Sequence, residues 1–329
     1  MRIAVTGATG FIGCNLVEWL KARNFEVSAT GRTETDVEKT RCERLRKAGH
    51  EVAAGSLLDA GFASRIVAGC DVVIHLAAAQ HEGNVPDAYF HDTNVGGTQL
   101  LIDASIKSGV RRFVYGSTIG VYGSAAEGEL SESSPTDPGN VYERSKLEAE
   151  QVVNAHKDRI ETCLARISEA YGPADFRLLK LFRAIKRDAF IILGSGLNRR
   201  QPIFIDDLAQ ALLLCAQHAA ACHETFNLAG SEVMTTNDMV RQIATAVSHR
   251  PPRMRIPVWP FRAAAAVLET TLRPLGIQPP LTQRRLNFFT KSFVFSTVKC
   301  REVLGFSAAV PFQAGAAATA RWYAENGYL

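Results

Sequence analysis

Through the first half of the chain, short runs of apolar and β-branched residues alternate with longer stretches whose apolar residues return every three or four positions. Residues 2–7 (RIAVTG) predict a strand, and 11–24 (FIGCNLVEWLKARN) predict a helix with Phe11, Leu16 and Leu20 among its buried positions. A strand over 25–31, a charged segment over 33–48, a strand over 50–55, a helix near 60–69 and a strand over 71–78 follow. A helix over 95–109, a strand over 111–117, a helix from 140 and a strand over 160–167 continue the series. Helices of this length between strands read as βαβ units, and such units close into a parallel sheet.

Beyond residue 172 the pattern loosens into Gly-, Pro- and Arg-rich stretches such as GSGLNRRQP, RPPRMRIPVWP and RPLGIQPPL. The expected architecture is α/β: a doubly wound parallel sheet over 1–172 and a smaller lobe, mainly substrate-binding, over 173–329. A helix over 205–217 (IDDLAQALLLCAQ), within a segment of about 202–218, is expected to return to the main sheet.

Composition narrows the function classes. A hydrophobic fraction of 47% over 329 residues allows a large core. Lys and Arg number 37 against 33 Asp and Glu, a mild excess without basic runs, so nucleic acid is not expected as a partner. Seven scattered cysteines with no C-x-x-C pair indicate neither a disulfide frame nor a metal site, and point to a reduced, cytoplasmic protein. The N-terminus breaks into glycines too early for a signal peptide. The most apolar stretch, 203–222, carries Asp206 and Asp207, so no membrane span is expected.

Residues 6–13 (TGATGFIG) place Gly7, Gly10 and Gly13 three apart, directly after one strand and before one helix. Gly7 permits the tight turn, Gly10 lets the backbone approach a pyrophosphate, and Gly13 permits close helix–strand packing. The helix N-terminus then offers unpaired N–H groups and positive dipole. Where the second strand ends, an NAD site usually carries an acid; this chain has Gly31 and then Arg32, which favours NADP, with NAD as the alternative.

Tyr142 and Lys146 lie four residues apart on a predicted helix, hence on one face. An ammonium beside a phenol favours phenolate and brings its pKa down towards neutrality. Alone, the pair also fits a solvated helix anchored by a tyrosine. Ser117 and Thr118 fall at the C-terminal end of a strand, where ligands bind in open α/β sheets.

With these motifs in order, the chain resembles the extended short-chain dehydrogenase/reductases, the NAD(P)-dependent epimerase/dehydratase superfamily. TGATGFIG, VVIHLAA, NVGGT, STIGVYG, YERSK, ARISEAYGP and FIDDLA carry the resemblance, and VFSTVKCREVLGF with GAAATARWYAENG extends it to nearly the whole chain. It implies a Rossmann-type fold with Tyr142 as general acid/base, Lys146 as its cationic partner and ribose contact, and Thr118 orienting the substrate oxygen. It implies cofactor contacts from Gly7, Thr9, Gly10, Phe11, Ile12, Gly13, Arg32, Ser56, Leu57, Leu76, Ala77, Ala78, Asn94 and Ser117. Asn94 would serve either a proton-relay water or structure. Ala79, Glu169 and Arg200 would face substrate. His75 reads as a packing residue, and Asp207 as a tie between lobes.

Two departures bear on substrate. Glu169 stands where the family often has an Asn that contacts nucleotide sugars, and a carboxylate is a poor neighbour for a diphosphate. Arg199 and Arg200 could still grip phosphate. Gln201-Pro202 and the apolar surroundings resemble more closely the 3β-hydroxysteroid dehydrogenase and dihydroflavonol-reductase-like branches, and a segment with Trp259, Phe261 and Leu268 offers an apolar lid or plain packing. The leading expectation is an oxidoreductase interconverting a secondary alcohol and a ketone. The alternatives are a nucleotide-sugar epimerase or dehydratase with retained NAD, and a non-catalytic NADP-binding regulator. By analogy, a homodimer would pair through the helices that contain NVGGTQLLIDASIK and NVYERSKLEAEQVV.

Overall fold

The computed structural model describes residues 1–80, 85–123, 128–272, 279, 281, 286 and 290–329. Its centre is a seven-stranded sheet of β1 (Arg2–Thr6), β2 (Glu26–Gly31), β3 (Val52–Ala54), β4 (Val72–His75), β5 (Arg112–Thr118), β6 (Glu161–Ile167) and β7 (Glu224–Leu228). The strands lie in the order β7-β6-β5-β4-β1-β2-β3, every neighbour parallel. The order reverses between β1 and β4, and that is where a doubly wound sheet opens a crevice at its strand C-termini.

Side chains alternate across each strand and feed two cores. Ile3 and Val5 face one side with Leu16 and Leu20 of α1 (Phe11–Lys21); Ala4, Val73 and Phe113 face the other with Phe62 and Ile66 of α3 (Ala60–Val67). The charged segment after β2 forms α2 (Asp36–Lys47). Thr35 closes its N-terminus through a capping box, accepting from Glu38 N at 3.2 Å while the Glu38 carboxylate accepts from Thr35 N at 2.9 Å. The helix expected over 95–109 is α4 (Gly97–Lys107), preceded by one π turn over Asp92–Gly96. The next, α5 (Val141–Asn154), starts at Asn140, whose side chain accepts from Glu143 N at 3.0 Å.

Helix α6 (Ile205–Gln217) packs against α1 and against β4, β5 and β6. The sequence reading did not anticipate β7, which adds a seventh strand beside β6 from residues well beyond 172. Its run ETFNL lies within the half of the chain where the strand–helix series has loosened, so pairing with β6 reveals it. Asp207 accepts from Ala309 N and Val310 N at 3.1 and 2.9 Å, tying α6 to the C-terminal segment. Among the described residues no helix is long and apolar enough to cross a membrane. Parts of the segments expected to shape a substrate lid, 81–84, 273–278 and most of 280–289, lie outside the described residues.

Candidate active site

Between β1 and α1 the chain turns at Gly7, whose φ of +70° suits glycine. A Cβ there would lie 2.7 Å from Ala77 N, and one at Gly13 only 2.2 Å from the Gly7 carbonyl oxygen. The turn is drawn against β4 and α1 so closely that side chains are excluded. No side chain caps α1, so its first N–H groups face the cavity above, an arrangement that suits a pyrophosphate. That cavity, about 660 Å³, runs from Gly7, Thr9, Gly10, Phe11, Ile12 and Gly13 past Leu76 and Ala78 to Ser117, Thr118, Tyr142 and Lys146. A contiguous cleft of about 260 Å³ adds Gly31, Arg32, Ser56, Leu57 and Ala77. The glycine turn and the Tyr/Lys pair, more than 120 residues apart in sequence, therefore open onto one space.

At the far end of that cleft Arg32 is already engaged. Its guanidinium bonds the Tyr89 hydroxyl and stands 3.7 Å from Glu38 and 3.8 Å from Glu34. Glu34, Glu38 and Tyr89 also line the cleft, and none of the three was singled out from sequence. A signal for Glu38 exists: Thr35-Asp-Val-Glu38 spells a capping box, which fixes its carboxylate beside the strand end.

Thr118 closes β5, with its hydroxyl oxygen accepting from Gly120 N at 3.1 Å; its own proton remains available to a ligand oxygen in the cavity. Tyr142 and Lys146 both face inward from α5 and are buried. The Lys146 ammonium sits 4.1 Å from the centroid of the Tyr115 ring. Burial lowers its pKa to about 7, opposed by the nearby Glu150 carboxylate. Asn94 donates to Ala79 O at 3.0 Å and to Ser145 Oγ at 2.8 Å, and accepts from Ala79 N at 2.7 Å. Both its N–H groups are thus engaged by protein groups. Ala79, expected at the substrate, is fully buried in a cluster with Phe90 and Tyr142.

Beneath the site lies a buried polar network that sequence reasoning missed. Ser117 donates to Glu150 at 2.5 Å, and Arg166 donates to both Glu150 oxygens and, at 3.0 Å, to the Tyr122 hydroxyl. Tyr122 in turn donates to Asn227 of β7 at 2.7 Å. Glu150 follows Lys146 by four residues, so the same spacing that singled out Tyr142 also marks it. His75 is held between Thr6 and Thr98 at 2.7 and 3.0 Å. Burial, and then the Lys146 charge, lower its pKa to about 3, so it stays a neutral packing residue. Glu169 and Arg200, expected to face substrate, form an ion pair with each other, Arg200 being almost fully buried. Among the described residues no cluster of His, Cys, Asp and Glu is suited to hold a metal.

A sequence profile of the NAD dependent epimerase/dehydratase family matches residues 3–229. The chain is 31% identical to an uncharacterized protein, y4nL, of Sinorhizobium fredii, covering 99% of this chain and 96% of that protein. It is 28% identical to a dTDP-glucose 4,6-dehydratase of Streptomyces niveus, covering 99% of this chain and 94% of the relative. A solved structure of a double mutant of DesIV, the dTDP-glucose 4,6-dehydratase of Streptomyces venezuelae with NAD and DAU bound, superposes with a TM-score of 0.78 at 25% identity. That match covers 99% of this chain and 98% of the other.

Proposed function

The chain belongs to the NAD dependent epimerase/dehydratase family, and we propose that it oxidises a secondary hydroxyl of a sugar-type substrate and re-reduces the product within one turnover. The observation that carries this reading is the single cavity shared by the glycine turn and by Thr118, Tyr142 and Lys146. The glycine cradle fits a dinucleotide: a Cβ at Gly7 or Gly13 would collide with the turn itself. A nicotinamide bound there supplies the hydride acceptor and donor. Thr118 donates a hydrogen bond to the substrate oxygen and fixes its orientation. Tyr142 takes the hydroxyl proton during oxidation and returns it during reduction. Lys146 supplies the positive charge that favours the phenolate, and its own charge is sustained by Glu150.

Support for the internal-redox form comes from the relatives, among which dTDP-glucose 4,6-dehydratases recur. A second reading, net interconversion of an alcohol and a ketone lacking a diphosphate, is favoured by one contact. Arg200, the buried cation that would meet a diphosphate, is already neutralised by Glu169. Cofactor content of the purified protein separates the two. Stoichiometric nicotinamide retained through purification supports internal redox; protein that takes up and releases nicotinamide with each turnover supports the net reaction.

Two further parts of the proposal concern the setting. The free thiols at all seven cysteines fit a reducing, cytoplasmic compartment. Pairing of two copies through α4 and α5 would give a dimer, which size-exclusion chromatography with light scattering tests.

A further inference from the structure

We infer that Glu38 reads the adenine-side ribose of the dinucleotide and makes this chain selective for NAD over NADP; the inference rests on the nicotinamide reading above. The acid that an NAD site commonly carries at the end of the second strand is absent here, and it cannot be accommodated. A Cβ at Gly31 would lie 2.4 Å from Thr9 Oγ1. A carboxylate on a rigid support that lines the same cleft is Glu38, in the first turn of α2. Its Oε2 accepts from Glu34 N at 3.0 Å and from Thr35 N at 2.9 Å. Glu38 lines the cleft, and its other oxygen, Oε1, lies 3.7 Å from Arg32 Nε.

This arrangement treats the two cofactors differently. A ribose 2′-hydroxyl is a donor, and Glu38 Oε1 is an acceptor held in place by the capping box. A 2′-phosphate would bring up to about two negative charges beside Glu38 and Glu34. Among the described residues that line this cleft the cation is Arg32, and it is already shared between those carboxylates and the Tyr89 hydroxyl. Glu38 cannot swing aside without releasing two backbone N–H groups at the start of α2. Arg32 therefore acts as the counter-ion that holds the acid, rather than as a phosphate ligand.

The test is calorimetric titration of the full chain, stripped of any bound nucleotide, with NAD and with NADP. The expected result is NAD binding at least about tenfold more tightly. Glu38→Gln keeps a capping-box side chain but removes the charge, and should cut the NAD/NADP affinity ratio at least about fivefold. Arg32→Ala should leave NADP affinity within about threefold of its starting value. NADP binding as tightly as NAD in the unaltered protein, an unchanged ratio in Glu38→Gln, or a large loss of NADP affinity in Arg32→Ala would each overturn the inference. Failure of both nucleotides and of ADP-ribose to bind would instead overturn the nicotinamide reading, and the selectivity with it. Thermal melting of each variant shows whether α2 stays folded.

Discussion

Arg166 holds Glu150 with two nitrogens, Nε to Oε1 at 3.0 Å and Nη2 to Oε2 at 2.8 Å, directly below the site. This places a buried carboxylate one helical turn from Lys146, and that carboxylate partly offsets the burial that brings the Lys146 pKa down to about 7. Glu150→Gln preserves shape and an acceptor for Arg166 while removing the charge. The Lys146 pKa should then fall further, so the alkaline limb of the kcat/KM profile should move to lower pH by on the order of one unit. An unmoved limb would separate Glu150 from the proton chemistry. Glu150→Leu, which leaves Arg166 buried without its partner, should cost about 3–5 kcal/mol of stability in denaturant titration.

Tyr142→Phe removes one oxygen from a side chain that packs with Ala79 and Phe90. Turnover should fall by about 10²–10⁴-fold, because general acid–base transfer is lost while the ring remains. Affinity for the dinucleotide should stay within a few-fold. Retained turnover would show that the proton leaves by another route.

Gly13→Ala tests the cradle. Its new Cβ would lie 2.2 Å from the Gly7 carbonyl oxygen, a backbone atom that cannot rotate away. The turn would have to open, at a cost of about 1–3 kcal/mol as for other overpacked positions. Dinucleotide affinity should drop with it. A variant that melts and binds like the parent would contradict the close approach.

His75 gives the acid side of the stability profile a specific signature. Its pKa in the folded protein, about 3, lies below the ordinary 6.5, so between those values the unfolded chain takes up a proton that the folded chain does not. Its contribution is fully present above about pH 6.5 and is lost progressively as pH falls towards 3. His75→Gln cannot titrate there. The stability gap between parent and variant should therefore narrow by a few kcal/mol as pH falls from 7 to 4, measured by chemical denaturation. A constant gap would mean that His75 titrates alike in both states.

The parts of the molecule legible in the sequence are those written in local spacing. Gly7, Gly10 and Gly13 are set by a single turn, and Tyr142 with Lys146 by a single turn of helix, so their juxtapositions follow from residue numbers alone. Glu150 extends that helical spacing, yet its meaning depends on Arg166, which arrives from a neighbouring strand. Arg32 reads in one dimension as an open cation; only the position of α2 brings Glu38 to it. Strand β7 stands outside the regular strand–helix series of the first half, and Glu224–Leu228 pairs in parallel with β6 at the edge of the sheet. Glu169 and Arg200, 31 residues apart, each read as a contact for substrate, and their pairing with one another is not written in any local spacing.

Thr9 and Gly31 meet across the first turn, and the threonine fills the space that a side chain at the strand end would need. The two positions consequently form one unit of substitution. Placing Asp at 31 alone should force the turn to shift; trimming Thr9 to Gly removes the two side-chain clashes, at 2.4 and 2.9 Å, and leaves the backbone nitrogen of residue 9, at 2.9 Å, for the turn to accommodate. An engineer seeking to relocate the ribose acid from the helix to the strand must change both positions together, and only then can Glu38 be given up.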